Sequence, residues 1–330
     1  MAKTPTLALV GSESLMGREI RDLLSGNTLG QDLKLIAGEG EEAGKIIEQA
    51  GEPAVIVPIE RGDLEAARVT FLAGSVESAQ QVRKVAKQGS LIDLTYGSED
   101  MPAARLRAPM GEPPEYQAPD GVVHVIANAA SIAIAMVLTR LHAAEPIARS
   151  VAHILEPASE RGLRGVEELQ QQTIGLLTFK GQPKEIFDAQ LAFNLLPKYG
   201  EEAPVALEDA EARIERHLAT LLAHRGQPNL PSLRLIQAPV FHGYSISLWV
   251  EFAGKPGLAN VAKALEGDDI DVRTADVEAP NAVGIAGQNG LAIGSITTDR
   301  NNPQGAWIWI VADNLRLRAE NALAVASQLL

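Results

Sequence analysis

Apolar and polar positions fall in blocks along this chain, and the first block organises the rest. Within Thr6–Leu24, the short apolar run Leu7–Val10 lies between Pro5 and Gly11, the pattern of a parallel strand covered on both faces. From Met16 the period lengthens: Met16, Ile20, Leu23 and Leu24 share one helical face, while Arg18, Glu19, Arg21 and Asp22 point elsewhere. Strand, glycine turn and helix in that order open a nucleotide-binding βαβ unit. The helix N-terminus there offers unpaired N–H groups and partial positive charge to a pyrophosphate.

The glycines of this turn stand at Gly11 and Gly17, with Ser14 where a third could lie, so the fingerprint is incomplete. Glu13 adds a carboxylate that repels the phosphates such a turn holds. These residues leave two readings open: a cofactor site on Gly11, Ser14, Leu15, Met16 and Gly17, or a turn that is only structural.

The blocks continue. Leu33–Ala37 predicts a second strand, followed by the acidic turn Gly38–Glu42. An acidic side chain after a second Rossmann strand favours a free ribose 2′-hydroxyl, so Glu39, Glu41 and Glu42 read either as opposing NADP or simply as a solvated charged loop. Val69–Ala73 and Leu91–Leu94 read as strands flanking a helix at Glu77–Lys87, and Met101–Pro119 as an extended, proline-bearing loop. Val122–Ile126 is the next strand and Ile132–Leu141 a buried helix. This alternation predicts an open parallel sheet with helices on both faces.

After Arg149 the pattern changes. Ser150–Leu155, Ser232–Ala238, Tyr244–Phe252 and Ala306–Val311 read as strands, several with period-two alternation. Leu207–His224 reads as a long helix, with His217 and His224 two turns apart as surface histidines rather than a metal pair. Asn314–Leu330 is a closing helix.

Composition narrows the function. The chain has 330 residues, room for two domains, and a net charge of −13 from 42 acidic and 29 basic residues. That balance argues against nucleic acid or an anionic membrane as partner. The absence of cysteine excludes disulfides, thiolate metal sites and a thiol nucleophile. With no signal-peptide pattern and no long apolar run, a soluble cytoplasmic protein is the expectation, and no metal is expected.

Several segments together resemble the aspartate-semialdehyde dehydrogenase family. GSESLMG at 11–17 stands where that family has GATGxVG, and AGK at 43–45, SERGLRGVEEL at 159–169, AFNLLP at 192–197, APVFHGYS at 238–245 and VADNLR at 311–316 follow in order. The resemblance spans the chain. It implies an α/β fold: a Rossmann-like doubly wound parallel sheet over residues 1–127, completed by the C-terminal helix 314–330, and an α+β dimerisation and substrate domain over 128–313. In that family a cysteine forms a thioester, a histidine is the acid/base, and two arginines hold the substrate carboxylate and phosphate.

Carried over residue by residue, each of these groups is missing. The N-C step of the nucleophile becomes Asn128-Ala129, and Ser131 lies two residues on, where it points elsewhere. The active-site glutamine corresponds to Glu156, and the histidine to Tyr244, beside His242. The carboxylate arginine becomes Gln237 and the phosphate arginine becomes Glu99. Glu211 and Arg213 match a Glu-x-Lys pair but read as ordinary helix charges. In the cofactor region Glu41 and Glu42 replace the Arg-Ser that meets the 2′-phosphate, and Arg318 replaces a glycine near the nicotinamide. Asp313 and Asn314 are kept, Asn314 as a further candidate for cofactor contact.

The resemblance therefore implies a cysteine-less, non-catalytic paralogue, acting as a binding or scaffold protein. Its expected partner is a second copy, with a small-molecule ligand or the active paralogue as further candidates. No cofactor is expected, or NAD or NADP held weakly. The alternative is an NAD(P)-dependent oxidoreductase of amino-acid biosynthesis with rebuilt chemistry. Tyr244, His242 or Glu156 would then serve direct hydride transfer.

Overall fold

The computed structural model describes the chain except residues 1–6, 28, 30–31, 87, 113–115, 117–121, 224–225, 227 and 275. The readings that touched Pro5, Thr6, Lys87, Pro119 and His224 lie outside the described residues at those positions. The chain divides into two compact units, residues 1–127 with 318–330, and residues 128–317.

In the first unit the order is β1 (Leu7–Val10), α1 (Leu15–Ser25), β2 (Leu33–Ile36), β3 (Ile46–Gln49), β4 (Glu52–Val55), α2 (Arg61–Ala66), β5 (Val69–Leu72), α3 (Val76–Val85), β6 (Ser90–Asp93), β7 (Ala104–Arg107) and β8 (Val123–Ile126). Six of the strands form a parallel sheet in the order β2-β1-β5-β6-β8-β7. Every residue of β1 and β5 is buried, because helices cover both faces of a doubly wound sheet. Strand order reverses between β1 and β5, and the carboxyl ends of those strands define the crevice where such folds take ligands.

Glycine is required at that crevice. Gly11 has φ of 82°, and a Cβ there would lie 2.2 Å from Gly74 Cα; one on Gly17 would lie 2.0 Å from Gly11 O. The close approach of β1, β5 and α1 thus demands both glycines whether or not a nucleotide binds.

Several elements are absent from the sequence reading, and two places in this unit show why. The stretch read as a loop at 101–119 contains the edge strand β7, whose inward residue is Arg107 rather than an apolar one. Arg107 is fully buried and held by Glu112 (Nε to Oε1, 2.9 Å; Nη2 to Oε2, 3.0 Å) and Gln328 Oε1 at 2.6 Å. A core position filled by a neutralised guanidinium carries no apolar period. Ile46–Val55 forms the antiparallel hairpin β3–β4, with Ala50 and Gly51 both at positive φ (52° and 83°). Alanine in the first central position hides the usual Asn-Gly or Asp-Gly turn signature.

The second unit contains α4 (Ala129–Ala144), β9 (Ile147–Glu156), a 3-10 turn at Ala158–Arg161, α5 (Gly162–Thr178), α6 (Leu207–Leu221), β10 (Ser232–Gln237), β11 (Tyr244–Phe252), α7 (Leu258–Leu265), β12 (Ile270–Val272), β13 (Leu291–Thr298) and β14 (Gly305–Ala312). The closing helix α8 (Asn314–Leu329) starts here, and from Arg318 it belongs to the first unit. The mixed sheet runs β10-β9-β11-β14-β13-β12. Tyr244, Ile246, Leu248 and Val250 of β11 are fully buried on one face, and Ser245, Ser247, Trp249 and Glu251 are half-buried on the other. The apolar helix α4 packs against β9, β11 and β14, with α6 and α7 beside it. Among the described residues no helix is long and apolar enough to cross a membrane, and no cluster of metal-ligating side chains occurs.

His124 of β8 is fully buried with its Nδ1 3.4 Å from Arg107 Nη1. Burial, then the charge of Arg107, pulls its pKa down to about 4. The folded chain keeps this ring neutral, while the unfolded chain protonates it below about pH 6.5. A lowered folded pKa means that the stabilisation is complete above ~6.5 and is lost as pH falls through that value toward ~4, about 3 kcal/mol in full. We expect the urea midpoint of the wild type to fall between about pH 7.5 and 4.5, and His124→Gln to flatten that fall. An equal fall in both proteins would contradict the assignment.

Candidate functional site

Of the residues singled out in the second unit, Asn128, Glu156, Gln237 and Tyr244 come together. Asn128 caps α4: its Oδ1 accepts from Ala130 N at 2.8 Å, and its Nδ2 donates to Tyr244 Oη at 3.3 Å. The Asn128 backbone N–H donates to His217 Nδ1 at 3.0 Å. His217 is therefore a buried partner, not the surface histidine expected from spacing; α6 turns it inward against the start of α4. Ala129 offers a buried methyl at the head of α4. Ser131 Oγ donates to Ile214 O at 2.9 Å on α6, so its hydroxyl is engaged there.

Glu156 at the end of β9 is the hub. Its Oε2 accepts from Tyr244 Oη at 3.1 Å, and its Oε1 is paired with Arg161 Nη2. Tyr199 Oη lies 3.4 Å from Glu156 Oε1, accepts from Arg161 Nε at 3.1 Å and donates to Gln237 Oε1 at 2.5 Å. Gln237 Nε2 closes the ring by donating to Glu156 O at 2.8 Å and Ala238 O at 3.1 Å. Glu156, Gln237 and Tyr244 are each at most 1% exposed.

Burial pushes the Glu156 carboxyl up, against the opposing pull of the Arg161 charge and the hydrogen bond from Tyr244. For Arg161, burial lowers the pKa, but the charge of Glu156 and the hydrogen bond to Tyr199 outweigh it and hold the guanidinium protonated. Burial also pushes Tyr199 above the ordinary phenol value, so at neutral pH it stays protonated and acts as a hydrogen-bond donor rather than a base. The arrangement is a satisfied buried network, whose donors and acceptors face one another rather than a substrate.

Asn314 is engaged in the same way. Its Oδ1 accepts from Gly243 N at 3.1 Å and Ser159 Oγ at 3.2 Å, and its Nδ2 donates to Glu160 Oε1 at 2.8 Å. Asp313 caps α8, accepting from Leu315 N and Arg316 N with Oδ1 and from Gly287 N with Oδ2. Glu211 accepts from Leu235 N at 2.6 Å, tying α6 to β10.

Sequence reasoning named Glu156, Gln237 and Tyr244 but missed their partners Arg161 and Tyr199. Arg161 stood inside the quoted SERG segment and Tyr199 two residues beyond AFNLLP. Neither position carries a local pattern that reveals the contact.

In the first unit the turn after β1 is built around Ser14, whose Oγ accepts from Gly17 N at 2.8 Å and donates to Ala73 O at 2.6 Å. Met16 and Gly17 are buried and Leu15 is half-buried. The backbone N–H groups of Glu13 and Ser14 donate to Glu41 Oε1 at 2.8 and 3.1 Å, and Gly38 N donates to Glu41 Oε2 at 3.0 Å. Glu13 does not stand bare: its Oε1 meets Lys45 Nζ at 2.5 Å. Glu39 Oε2 accepts from Ser75 Oγ at 3.0 Å, while Glu42 is exposed. A nucleotide phosphate could use these donors only by displacing the Glu41 carboxylate.

Glu99 is half-buried in the loop after β6, its N–H donating to Tyr96 O at 3.2 Å. Arg318 folds over the Tyr96 ring at 4.3 Å and donates from Nη2 to Leu94 O at 2.5 Å.

Fold and residues of this kind define a class. Residues 138–317 match the family described as semialdehyde dehydrogenase, dimerisation domain, and the chain belongs to that family. Within it the chain is a homologue of aspartate-semialdehyde dehydrogenases and of USG-1 proteins. It is 26% identical to the aspartate-semialdehyde dehydrogenase of Rickettsia bellii, covering 100% of this chain and 99% of that one. It is 28% identical to the USG-1 protein homolog of Azotobacter vinelandii, with the same coverage of each. A solved structure described as a probable aspartate-semialdehyde dehydrogenase from Pseudomonas aeruginosa superposes with a TM-score of 0.84 at 26% identity, over 99% of this chain and 98% of that one.

A buried ion pair that loses one partner leaves an uncompensated charge, a loss of about 3–5 kcal/mol. Arg161→Met is expected to destabilise the second unit by about that amount in chemical denaturation, and Glu156→Gln/Arg161→Met to recover a substantial part. A single Arg161→Met variant within about 1 kcal/mol of the wild type would contradict the burial of the pair.

Proposed function

We propose that this chain is an aspartate-semialdehyde dehydrogenase homologue that no longer performs the family's reaction and serves as a non-catalytic, dimeric binding or scaffold protein. The closed Glu156–Arg161–Tyr199–Gln237–Tyr244 network carries this reading. The family's thioester chemistry, as the resemblance gives it, needs a thiolate beside an acid/base and two cationic clamps. Here the nucleophile position is Ala129, and alanine has no group that could attack a carbonyl. The acid/base position is Tyr244, which gives its hydroxyl hydrogen to Glu156 inside the fold. The clamp positions are Gln237, spent on Tyr199 and two carbonyls, and Glu99, which carries the wrong sign for a phosphate. Removing members of a catalytic unit together leaves only residual rate. The same contacts weigh against a rebuilt hydride-transfer site, because Tyr244 and Glu156 hold each other.

Assembly is the second half of the proposal. The matched family region is a dimerisation domain. The face of β11 opposite its buried side carries Trp249, which stands directly across from Trp307 of β14, itself 36% exposed. Two adjacent indoles on one sheet face supply the apolar area that a two-fold partner would bury.

Purified protein supplied with aspartate semialdehyde, phosphate and NADP is expected to show no enzymatic turnover. Saturable conversion at about 1 per second or faster would sink the proposal. In light scattering the protein is expected to have the mass of two chains at micromolar concentration, and a monomer mass there would reject the dimer.

A further inference from the structure

We propose that Glu41 is the residue that decides which anion the first unit's crevice admits: its carboxylate fills the backbone cradle at the head of α1 as a tethered anion. Exclusion of nucleotide phosphate then works by occupancy of the donors, not by repulsion from a distance. This inference concerns the first unit alone and does not depend on the loss of catalysis proposed above.

The cradle is drawn from two chain segments. Glu13 N and Ser14 N come from the turn between β1 and α1, and Gly38 N comes from the turn after β2. Both carboxylate oxygens are used, one on each segment, so Glu41 bridges the carboxyl ends of β1 and β2. In open α/β sheets this is where a dinucleotide's phosphates lie. The helix itself supplies no competing charge, for α1 has no acidic residue in its first turn. Glu41 therefore provides the negative charge that the N-terminal end of the helix dipole favours.

The neighbouring charges are already satisfied and do not fill the cradle. Glu13 is neutralised by Lys45, Glu39 accepts from Ser75, and the Ser14 hydroxyl is committed to Gly17 and Ala73. Removing the Glu41 side chain would leave the N–H groups of Glu13 and Gly38 without this acceptor, beside that of Ser14, which also donates to Gly11 O at 3.2 Å. Those donors suit a phosphate monoester or pyrophosphate oxygen. Glu42 is the natural control: it carries the same charge one residue on, but it is exposed and takes no part in the cradle.

The test titrates NADP, NAD and inorganic phosphate into the wild type, Glu41→Ala, Glu41→Gln and Glu42→Gln by calorimetry. Glu41→Ala is expected to bind NADP about tenfold or more tighter than the wild type, the equivalent of one charge-assisted hydrogen bond gained by the ligand. Glu42→Gln is expected to stay within about twofold of the wild type. A gain confined to NADP would assign the cradle to the 2′-phosphate, and a gain shared with NAD to the pyrophosphate; either supports the proposal. A folded Glu41→Ala with no gain would overturn it, as would an equal gain in Glu42→Gln, or a gain in Glu41→Gln as large as that in Glu41→Ala, since the Gln amide oxygen still occupies the donors. The wild type gives a check that needs no variant: the amides of Glu13, Ser14 and Gly38 should exchange slowly with solvent. Fast exchange at all three would also overturn the proposal.

Discussion

A carboxylate sealed at the end of a central strand is the constraint around which the second unit is arranged. Glu156 is 1% exposed, and an unpaired charge in that position is prohibitively costly. The 3-10 turn brings Arg161 to it, β11 brings Tyr244, and the loop beyond AFNLLP brings Tyr199, which in turn holds Gln237 of β10. The ends of three adjacent strands are thereby bound into one polar cluster. Such a network is stable only when every member is satisfied, and a substrate could enter only by breaking several of its bonds at once.

The segments that mark the family resemblance also have structural work in this chain. In the SERGLRGVEEL segment, Glu168 is buried and accepts from Ile186 N at 2.7 Å and Phe187 N at 3.2 Å. Gln172, one turn on along α5, accepts from Leu191 N and Ala192 N, the start of AFNLLP. Leu196 of that segment exchanges both backbone hydrogen bonds with Gln237 at 3.0 Å. Asn314 of VADNLR anchors Gly243 and Ser159. These residues hold loops to strands and helices through satisfied backbone groups. That role does not depend on chemistry, so the segments would be kept in a chain that, as proposed above, no longer performs the family's reaction.

Much of the fold was legible because burial leaves a period in the sequence. Leu7–Val10 and Tyr244–Phe252 have the bounds read from pattern alone, since one is apolar throughout and the other alternates strictly. Strand β7 was illegible because its core residue is Arg107, and the β3–β4 hairpin because Ala50 occupies a left-handed turn position. The site was legible only as a set of positions. His217 looked like a surface residue until the contact with Asn128, distant in sequence, placed it in the interior. Repulsion was the readable consequence of Glu41, while its seat on three backbone donors depends on turns brought together by the sheet.

The central claim is that the family's reaction centre has become closed interior, and the chain's lack of cysteine allows a direct test. Ala129 is fully buried at the head of α4, so Ala129→Cys would carry the protein's sole thiol at the position we propose for the family's nucleophile. The rate at which that thiol reacts with a small thiol reagent under native conditions measures access to the position. The account predicts a thiol that stays unreacted until the protein is unfolded by denaturant. Modification of the native protein at the rate of an exposed cysteine would show the centre to be open, and would contradict it.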